Sequence, residues 1–340
     1  MADSWTRLLV LRFSSIGDII QTTSVLNTIK KYFPKTEIEY LTLKKYESLL
    51  FGHSSIDFLH SIDPGTKIDS IKDLINSKHY DAIIDLHNSV RSKLIRKKVP
   101  FLKSYNVVKP RKNRFLLFLN HKNKFHTDFN QKKWLHEPLI NLLPPDYEFS
   151  QITLNVSEKE KNEGIRLLNK NGLSFKKYFT LIPGSAWRQK QWSVQKYIEL
   201  ANICEKKYKM TPVILGSEKD IVCRQVFKGL SKNAIDLSGK SNLRQSMSVI
   251  SNAELSIGSD TGFIYASEAL YIPTIAILGP TSFETGAGVF SEKSLNIFKK
   301  DVWCRPCSQN GSFPCYRKTQ FCMDEIKTDE VLTNIEKLLA

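Results

Sequence analysis

Three short segments of this 340-residue chain combine residue types suited to chemistry on anionic ligands. The first is Ser14-Ser15-Ile16-Gly17-Asp18. Its small residues let the backbone approach a ligand, and Asp18 is placed either to cap a following helix or to hold a carboxylate towards a cleft. The second is Ile182-Pro183-Gly184-Ser185-Ala186-Trp187-Arg188-Gln189-Lys190-Gln191-Trp192. Loop amides with the Lys190 ammonium suit a diphosphate; the competing reading is a surface loop stapled by Trp192. The third is Gly258-Ser259-Asp260-Thr261-Gly262, which opens a helix whose N-terminus favours anions. Asp260 repels a phosphate, so it suits backbone amides or a sugar hydroxyl; ordinary turn chemistry explains the same residues. A further set is Cys304-Arg305-Pro306-Cys307 with Cys315 and Cys322. That spacing fits a four-cysteine structural zinc or iron site, or equally four reduced thiols in a loop-rich stretch. Cys204 and Cys223 read as isolated, buried helix residues.

Each of the first three segments lies between a strand-like run and a helix-like one. Arg7 to Phe13 is an apolar β run, and Ile19 to Phe33 has apolar residues at helical spacing up to Pro34. Ile38–Leu43 reads as a strand, Lys45–Phe51 and Asp69–Ser77 as helical, and Tyr80–Leu86 as a strand. The pattern restarts at Ser157-Glu158-Lys159-Glu160, a capping box for a helix to about Asn171 with Gly172 just beyond. Tyr178–Ile182, Pro212–Leu215, Ala253–Ile257 and Thr274–Leu278 read as strands. Val194–Lys207 (with Ser193 as N-cap), a stretch from about Gly262 to Leu270, and Thr328–Leu339 read as helices. This alternation predicts an α/β chain of parallel sheets covered on both faces. The Leu143-Pro144-Pro145-Asp146 stretch suggests a cut into domains 1–150 and 151–340.

Composition excludes a disordered chain, a collagen-like repeat and a small disulfide scaffold, because 41% of residues are hydrophobic and 25% charged. The net charge is +16. Residues 91–133 hold fourteen Lys/Arg and one acid, Asp128, so +13 of that charge is local. Aromatic residues are interleaved there, among them Tyr105, Phe115, Phe118 and Phe125. Such a stretch suits single-stranded nucleic acid, a phosphorylated glycan or a solvated surface. No apolar run approaches the ~18 residues of a membrane span, and Leu8–Leu11 is too short for a signal-peptide core. A cytoplasmic protein with reduced cysteines is expected, with any contact at the inner face of the cytoplasmic membrane peripheral and electrostatic.

Together these segments resemble glycosyltransferase family 9, the ADP-heptose–lipopolysaccharide heptosyltransferases. The resemblance spans nearly the whole chain. It is carried by Ser14-Ser15-Ile16-Gly17-Asp18, Pro183-Gly184-Ser185 with Lys190 and Trp192, Leu215-Gly216-Ser217-Glu218, Leu237-Ser238-Gly239-Lys240, Asp260-Thr261-Gly262 and Gly279-Pro280-Thr281. The spaced cysteines before the C-terminal helix also resemble many members. The resemblance implies a GT-B architecture, two Rossmann-like domains facing across a cleft, with the acceptor in the N-terminal domain and the nucleotide sugar in the C-terminal one. Asp18 then matches the general base and Lys190 the donor-phosphate lysine. Ser185, Glu218, Asp260, Thr261 and Gly262 match donor contacts, Glu218 near the ribose. Where the family pattern has a histidine three residues after Gly262, this chain has Tyr265, which donates a hydrogen bond but carries no positive charge.

The expected activity is inverting transfer of a heptose from ADP-heptose to an anionic lipopolysaccharide inner-core acceptor, without a catalytic cofactor. The acceptor is expected on Ser14, Ser15 and Gly17, with Arg91 and Lys93 from the basic stretch. One alternative is a protein O-heptosyltransferase; relatives of that kind carry a cysteine-bound iron. The other is a nucleic-acid-binding protein, which leaves the donor-type segments unexplained.

Overall fold

The computed structural model describes residues 5–173 and 175–340; Met1–Ser4 and Ser174 lie outside the described residues. The chain divides into two compact units, Met1–Pro110 with Asn130–Asn155, and Arg111–Phe129 with Val156–Ala340.

In the first unit, β1 (Arg7–Leu11) is an apolar run buried from Leu8 onwards, as a strand covered on both faces must be. The chain continues through α1 (Ile16–Tyr32), β2 (Glu37–Leu43), β3 (Phe58–Ile62), α2 (Ile68–Asn76), β4 (Ala82–Asp85), α3 (Val90–Lys98) and β5 (Lys103–Asn106). These strands form one parallel sheet in the order β3-β2-β1-β4-β5. The order reverses between β1 and β4, and open α/β sheets bind ligands outside the carboxyl ends of their strands at such a switch point. Arg12 to Asp18 follow the end of β1, and Leu86 to Ser89 follow the end of β4. Leu9, Leu11, Phe13, Ile83, Ile95 and Val99 pack one side of the sheet into a core. The next helix, α4 (Arg111–Asn120), belongs to the second unit, and α5 (Gln131–His136) to the first.

The second unit opens with α6 (Glu158–Lys170), which carries the capping box read from the sequence. Ser157 donates through its backbone N–H and its hydroxyl to Glu160 Oε2, at 2.9 and 2.8 Å. There follow β6 (Lys177–Ile182), α7 (Val194–Tyr208), β7 (Met210–Ile214), α8 (Ile221–Lys228), β8 (Ile235–Asp236), α9 (Leu243–Ile250), β9 (Leu255–Ser259), α10 (Gly262–Ala269), β10 (Thr274–Ile277), β11 (Ser294–Ile297), α11 (Phe321–Asp324) and α12 (Thr328–Leu339). The parallel sheet runs β11-β10-β9-β6-β7-β8, with its switch point between β6 and β9. Pro183 to Lys190 and Asp260 to Gly262 leave these two neighbouring strands at their carboxyl ends. Trp192 is buried in the core of this unit, where its ring N–H donates to Ile326 O at 3.1 Å, and Cys204 and Cys223 are buried beside it as expected.

The units differ from a single cut at residue 150. Residues 111–129 are held to the second unit by specific bonds: Arg114 Nε donates to Glu284 O at 2.9 Å and Asn123 Nδ2 to Glu284 Oε1 at 2.7 Å. The His121 ring meets Trp303 edge-on at 4.9 Å. The basic stretch is therefore shared between the two units. Among the described residues, no helix is long and apolar enough to cross a membrane.

Candidate active site

At the first switch point, Ser15 is the N-cap of α1 and Asp18 is the third helical residue. Asp18 Oδ2 accepts from the Ser15 N–H at 3.0 Å and the Ser15 hydroxyl at 2.6 Å. Its other oxygen, Oδ1, lies 2.8 Å from Arg12 Nη2. Arg12 is buried. It also donates from Nε to Ser14 O at 2.8 Å and from Nη1 to Leu86 O at 2.5 Å, tying the ends of β1 and β4 together. Burial alone would raise the Asp18 carboxyl, but the Arg12 charge and the Ser15 hydrogen bonds outweigh it and hold the group below the ordinary aspartate value. The helix-capping reading of Asp18 is thus present in the structure, and 37% of its side chain still faces solvent. A charged, oriented, accessible carboxylate has the properties of a general base.

His87 follows β4 and was not singled out by sequence. Its Nδ1 accepts from the Phe13 N–H at 3.2 Å, so the neutral ring carries its proton on Nε2. Burial first, then the nearby charges of Arg12 and Lys109, push it down to about 4, which keeps it neutral at physiological pH. The signal available in sequence was Asp85-Leu86-His87 at a strand end. Asp85 Oδ1 accepts from the backbone N–H groups of His87 and Asn88 at 3.0 and 2.8 Å and so shapes that turn. Ser14 is half-buried, Ser15 exposed and Gly17 buried beside this turn of the helix. Of the expected acceptor cations, Arg91 donates to the backbone carbonyls of Asp63 and Pro64, while Lys93 is exposed on α3.

At the second switch point, Lys190 Nζ lies 2.9 Å from Asp260 Oδ2. Thr281 Oγ1 donates to that same oxygen at 3.0 Å, and the Tyr265 hydroxyl donates to Oδ1 at 2.7 Å. Burial again pushes the carboxyl up, and Lys190 with the two hydroxyls pulls it below the ordinary value. Asp260 therefore neither caps backbone amides nor points an unoccupied carboxylate outwards; it anchors the lysine. Tyr265, expected as a donor contact, directs its O–H at Asp260. The buried Ser185 hydroxyl has no protein hydrogen-bond partner, which leaves it available to a ligand. Thr261 is the N-cap of α10 and Gly262 its first residue, so the first N–H groups of this helix lack intrahelical acceptors. Glu218 is exposed in the loop after β7, where it crowds Gly239 at 2.8 Å from an added Cβ.

The cysteine-rich stretch, whose spacing left a zinc or iron site and four reduced thiols equally open, lies against this site. Cys304, Cys307, Cys315 and Cys322 line one pocket with Arg317 and Gln320. Among the described residues, however, no three His, Cys, Asp or Glu are grouped to hold a metal ion. Burial raises the Cys307 thiol and pushes Cys322 up to about 11, so both carry their protons, and the Arg305 cation sits among them. Arg305 itself was missed by sequence. It donates from Nε to Gly279 O and from Nη2 to Thr281 O, both at 2.7 Å, and so holds the backbone of the residue that bonds Asp260. Gly311 completes the wall: a Cβ there would sit 2.6 Å from Lys190 Cγ.

Sequence comparison identifies the family. The model of glycosyltransferase family 9 (heptosyltransferase) matches residues 68–316. The chain belongs to that family. This family-9 glycosyltransferase is 25% identical to lipopolysaccharide heptosyltransferase 1 of Campylobacter coli, over 98% of each chain. Its fold is that of a family-9 glycosyltransferase from Veillonella parvula, with a TM-score of 0.80 at 19% identity over 100% of this chain and 98% of the other. It also matches ADP-heptose lps heptosyltransferase II of E. coli, with a TM-score of 0.73 at 20% identity over 98% of both. The α/β class with two parallel Rossmann-type sheets stands as read from the sequence.

Proposed function

We propose that this glycosyltransferase moves a heptose, with inversion, from ADP-heptose to a hydroxyl of a lipopolysaccharide inner-core acceptor. The observation that carries this reading is the charged, oriented Asp18 carboxylate at the edge of a Rossmann-type sheet. The relatives named for transfer to lipopolysaccharide supply the substrate class. In the reaction, the acceptor oxygen forms its bond to the anomeric carbon as the bond from that carbon to the ADP oxygen breaks. Asp18 takes the hydroxyl proton as the new bond forms. Negative charge grows on the departing diphosphate. Lys190, the amides of the Pro183–Ser185 loop and the first N–H groups of α10 meet that charge with fixed dipoles. No step is assigned to a metal.

On the donor side, the Ser185 hydroxyl satisfies itself on the nucleotide sugar, Thr261 and Gly262 present amides to its phosphates, and Glu218 takes the ribose. Asp260 and Tyr265 act through Lys190. On the acceptor side, Ser14, Ser15 and Gly17 frame the reacting hydroxyl. Lys93 offers a cation to the acceptor's anionic groups, and Arg91 fixes the loop at Asp63 and Pro64. On this reading the enzyme works where lipid-linked acceptors are made, at the inner face of the cytoplasmic membrane.

The test is to incubate the purified chain with ADP-heptose and a series of truncated lipopolysaccharides and read the mass gain. One heptose added to one truncation is expected, with ADP released. Binding of ADP-heptose without any mass gain would overturn the acceptor; absence of ADP-heptose binding would overturn the donor.

A further inference from the structure

Helix α3 packs inwards through Ser92, Ile95 and Val99, all buried, and through Arg96, whose Nε lies 3.0 Å from the buried Asp85 Oδ2. These contacts fix the rotation of the helix. They leave outside Val90, 77% exposed, and Leu94, 45% exposed, one turn apart on the same face. Lys93 and Lys97, both exposed, flank that pair. Phe101, 69% exposed, follows just past the helix end. No Asp or Glu occurs from Leu86 to Thr127, and the carboxylate that α2 brings to this helix, Asp69, is paired with Lys98 at 2.8 Å, which leaves Lys93 and Lys97 to set the charge beside the apolar pair.

Large apolar side chains set between lysines, with no acid near in sequence, match a helix lying in the plane of a membrane interface. The apolar groups enter the acyl boundary while the ammonium heads stay among the phosphates. Nucleic acid fits less well, since Val90 and Leu94 offer no ring on which a base can stack. A second copy of the chain would bring like charges together. We infer that the outward face of α3, with Phe101, docks on an anionic lipid bilayer. In the second unit α4 repeats the pattern, with exposed Phe115 and Leu119 one turn apart beside Arg111 and Lys112.

This inference is independent of the donor and acceptor assigned above, and its test does not use transfer. The full chain is sedimented with phosphatidylethanolamine vesicles containing phosphatidylglycerol, and with phosphatidylcholine vesicles as the neutral control. Binding to the anionic vesicles, falling with added salt, is expected. Lys97→Gln should weaken it about fivefold and Lys97→Glu more. The pair Leu94→Ser with Phe101→Ser should weaken it at unchanged charge, with an unchanged thermal midpoint because both positions are exposed. In Phe101→Trp, anionic vesicles should shift the added emission to the blue. The inference is overturned by absence of sedimentation with anionic vesicles, by equal binding of these variants, or by equal binding to neutral vesicles. It is equally overturned if the variants lose binding to single-stranded DNA, or lose a dimer in ultracentrifugation, while vesicle binding persists.

Discussion

Arg12 Nη2 sits 2.8 Å from Asp18 Oδ1, and the other nitrogens of the same guanidinium are held by the carbonyls of Ser14 and Leu86. One buried arginine thus fixes the ends of β1 and β4 and aims the carboxylate that follows them. The pairing makes Asp18 a weaker base than an isolated aspartate, yet keeps it deprotonated throughout the physiological range. For the general base proposed above, which would accept a proton only as the new glycosidic bond forms, orientation and full ionisation matter more than ground-state basicity.

The pH profile of transfer follows from that pairing. Because Arg12 holds the Asp18 carboxyl down against the upward push of burial, Arg12→Met should move the acid limb of kcat/KM to higher pH. Arg12→Lys, which keeps a positive charge, should move it less. Asp18→Asn should lower kcat by about 10²–10⁴-fold while ADP binding persists. An acid limb that stays in place in Arg12→Met would separate it from Asp18.

If the four-residue cluster around Asp260 holds the donor as proposed, it divides that binding into direct and indirect parts. Lys190→Met should raise the donor KM and lower kcat, together by about 10²–10³-fold, the range for removing one charge-stabilising donor. Tyr265→Phe removes a hydrogen bond to buried Asp260 and should cost about 1–3 kcal/mol of stability. Its effect on donor KM should be much the smaller, because the hydroxyl acts through Asp260. Equal KM effects in the two variants would instead make Tyr265 a direct donor contact.

The cysteine-rich wall carries its own prediction. Gly311 has φ of +83°, and an added Cβ would lie 2.6 Å from Lys190 Cγ. Gly311→Ala should therefore strain the loop and displace the lysine, raising donor KM with little change in the pH profile. Arg305→Met should act in the same direction by releasing the carbonyls of Gly279 and Thr281. Isothermal titration with ADP reads both. Unchanged affinity in Gly311→Ala would detach this wall from the donor site.

The parts of the fold that sequence revealed are those where burial writes a long pattern. β1, α1, β6 and β9 are apolar runs or periodic faces, and the turns between them hold most of the site. β3 and β5 escaped because they are edge strands: β5 is Lys103-Ser104-Tyr105-Asn106, half-exposed, with no apolar run to see. The place of α4 was invisible because Arg114 and Asn123 find their partner at Glu284, more than 160 residues away. Arg12, His87 and Arg305 were missed for a related reason, since each matters through backbone partners that only the folded sheet edge brings near. The four cysteines show the opposite failure. Their spacing left a metal and free thiols equally open, and it gave no sign of the Arg305 guanidinium that the folded chain sets among them.

Stability towards acid should depend on Glu160, whose carboxylate joins α6 to α9. Arg244 Nε donates to Oε1 at 2.7 Å and Nη2 to Oε2 at 2.5 Å, a two-point pair, while Ser157 donates to the same carboxylate from the helix cap. The Arg244 hydrogen bonds, opposed by burial and aided by Ser157, push the group from an ordinary 4.5 down to about 2. The folded state thus prefers the charged form, so this stabilisation is complete above the ordinary value and is lost as pH falls towards the folded one. Unscreened, the shift corresponds to about 3 kcal/mol, and solvent at the 27% exposed side chain reduces that to about 2 kcal/mol. Urea midpoints near neutrality and at about pH 3 should therefore fall more steeply for the unaltered chain than for Glu160→Gln or Arg244→Met, which begin lower and change less. A parallel fall in all three would assign the acid limit to other carboxylates.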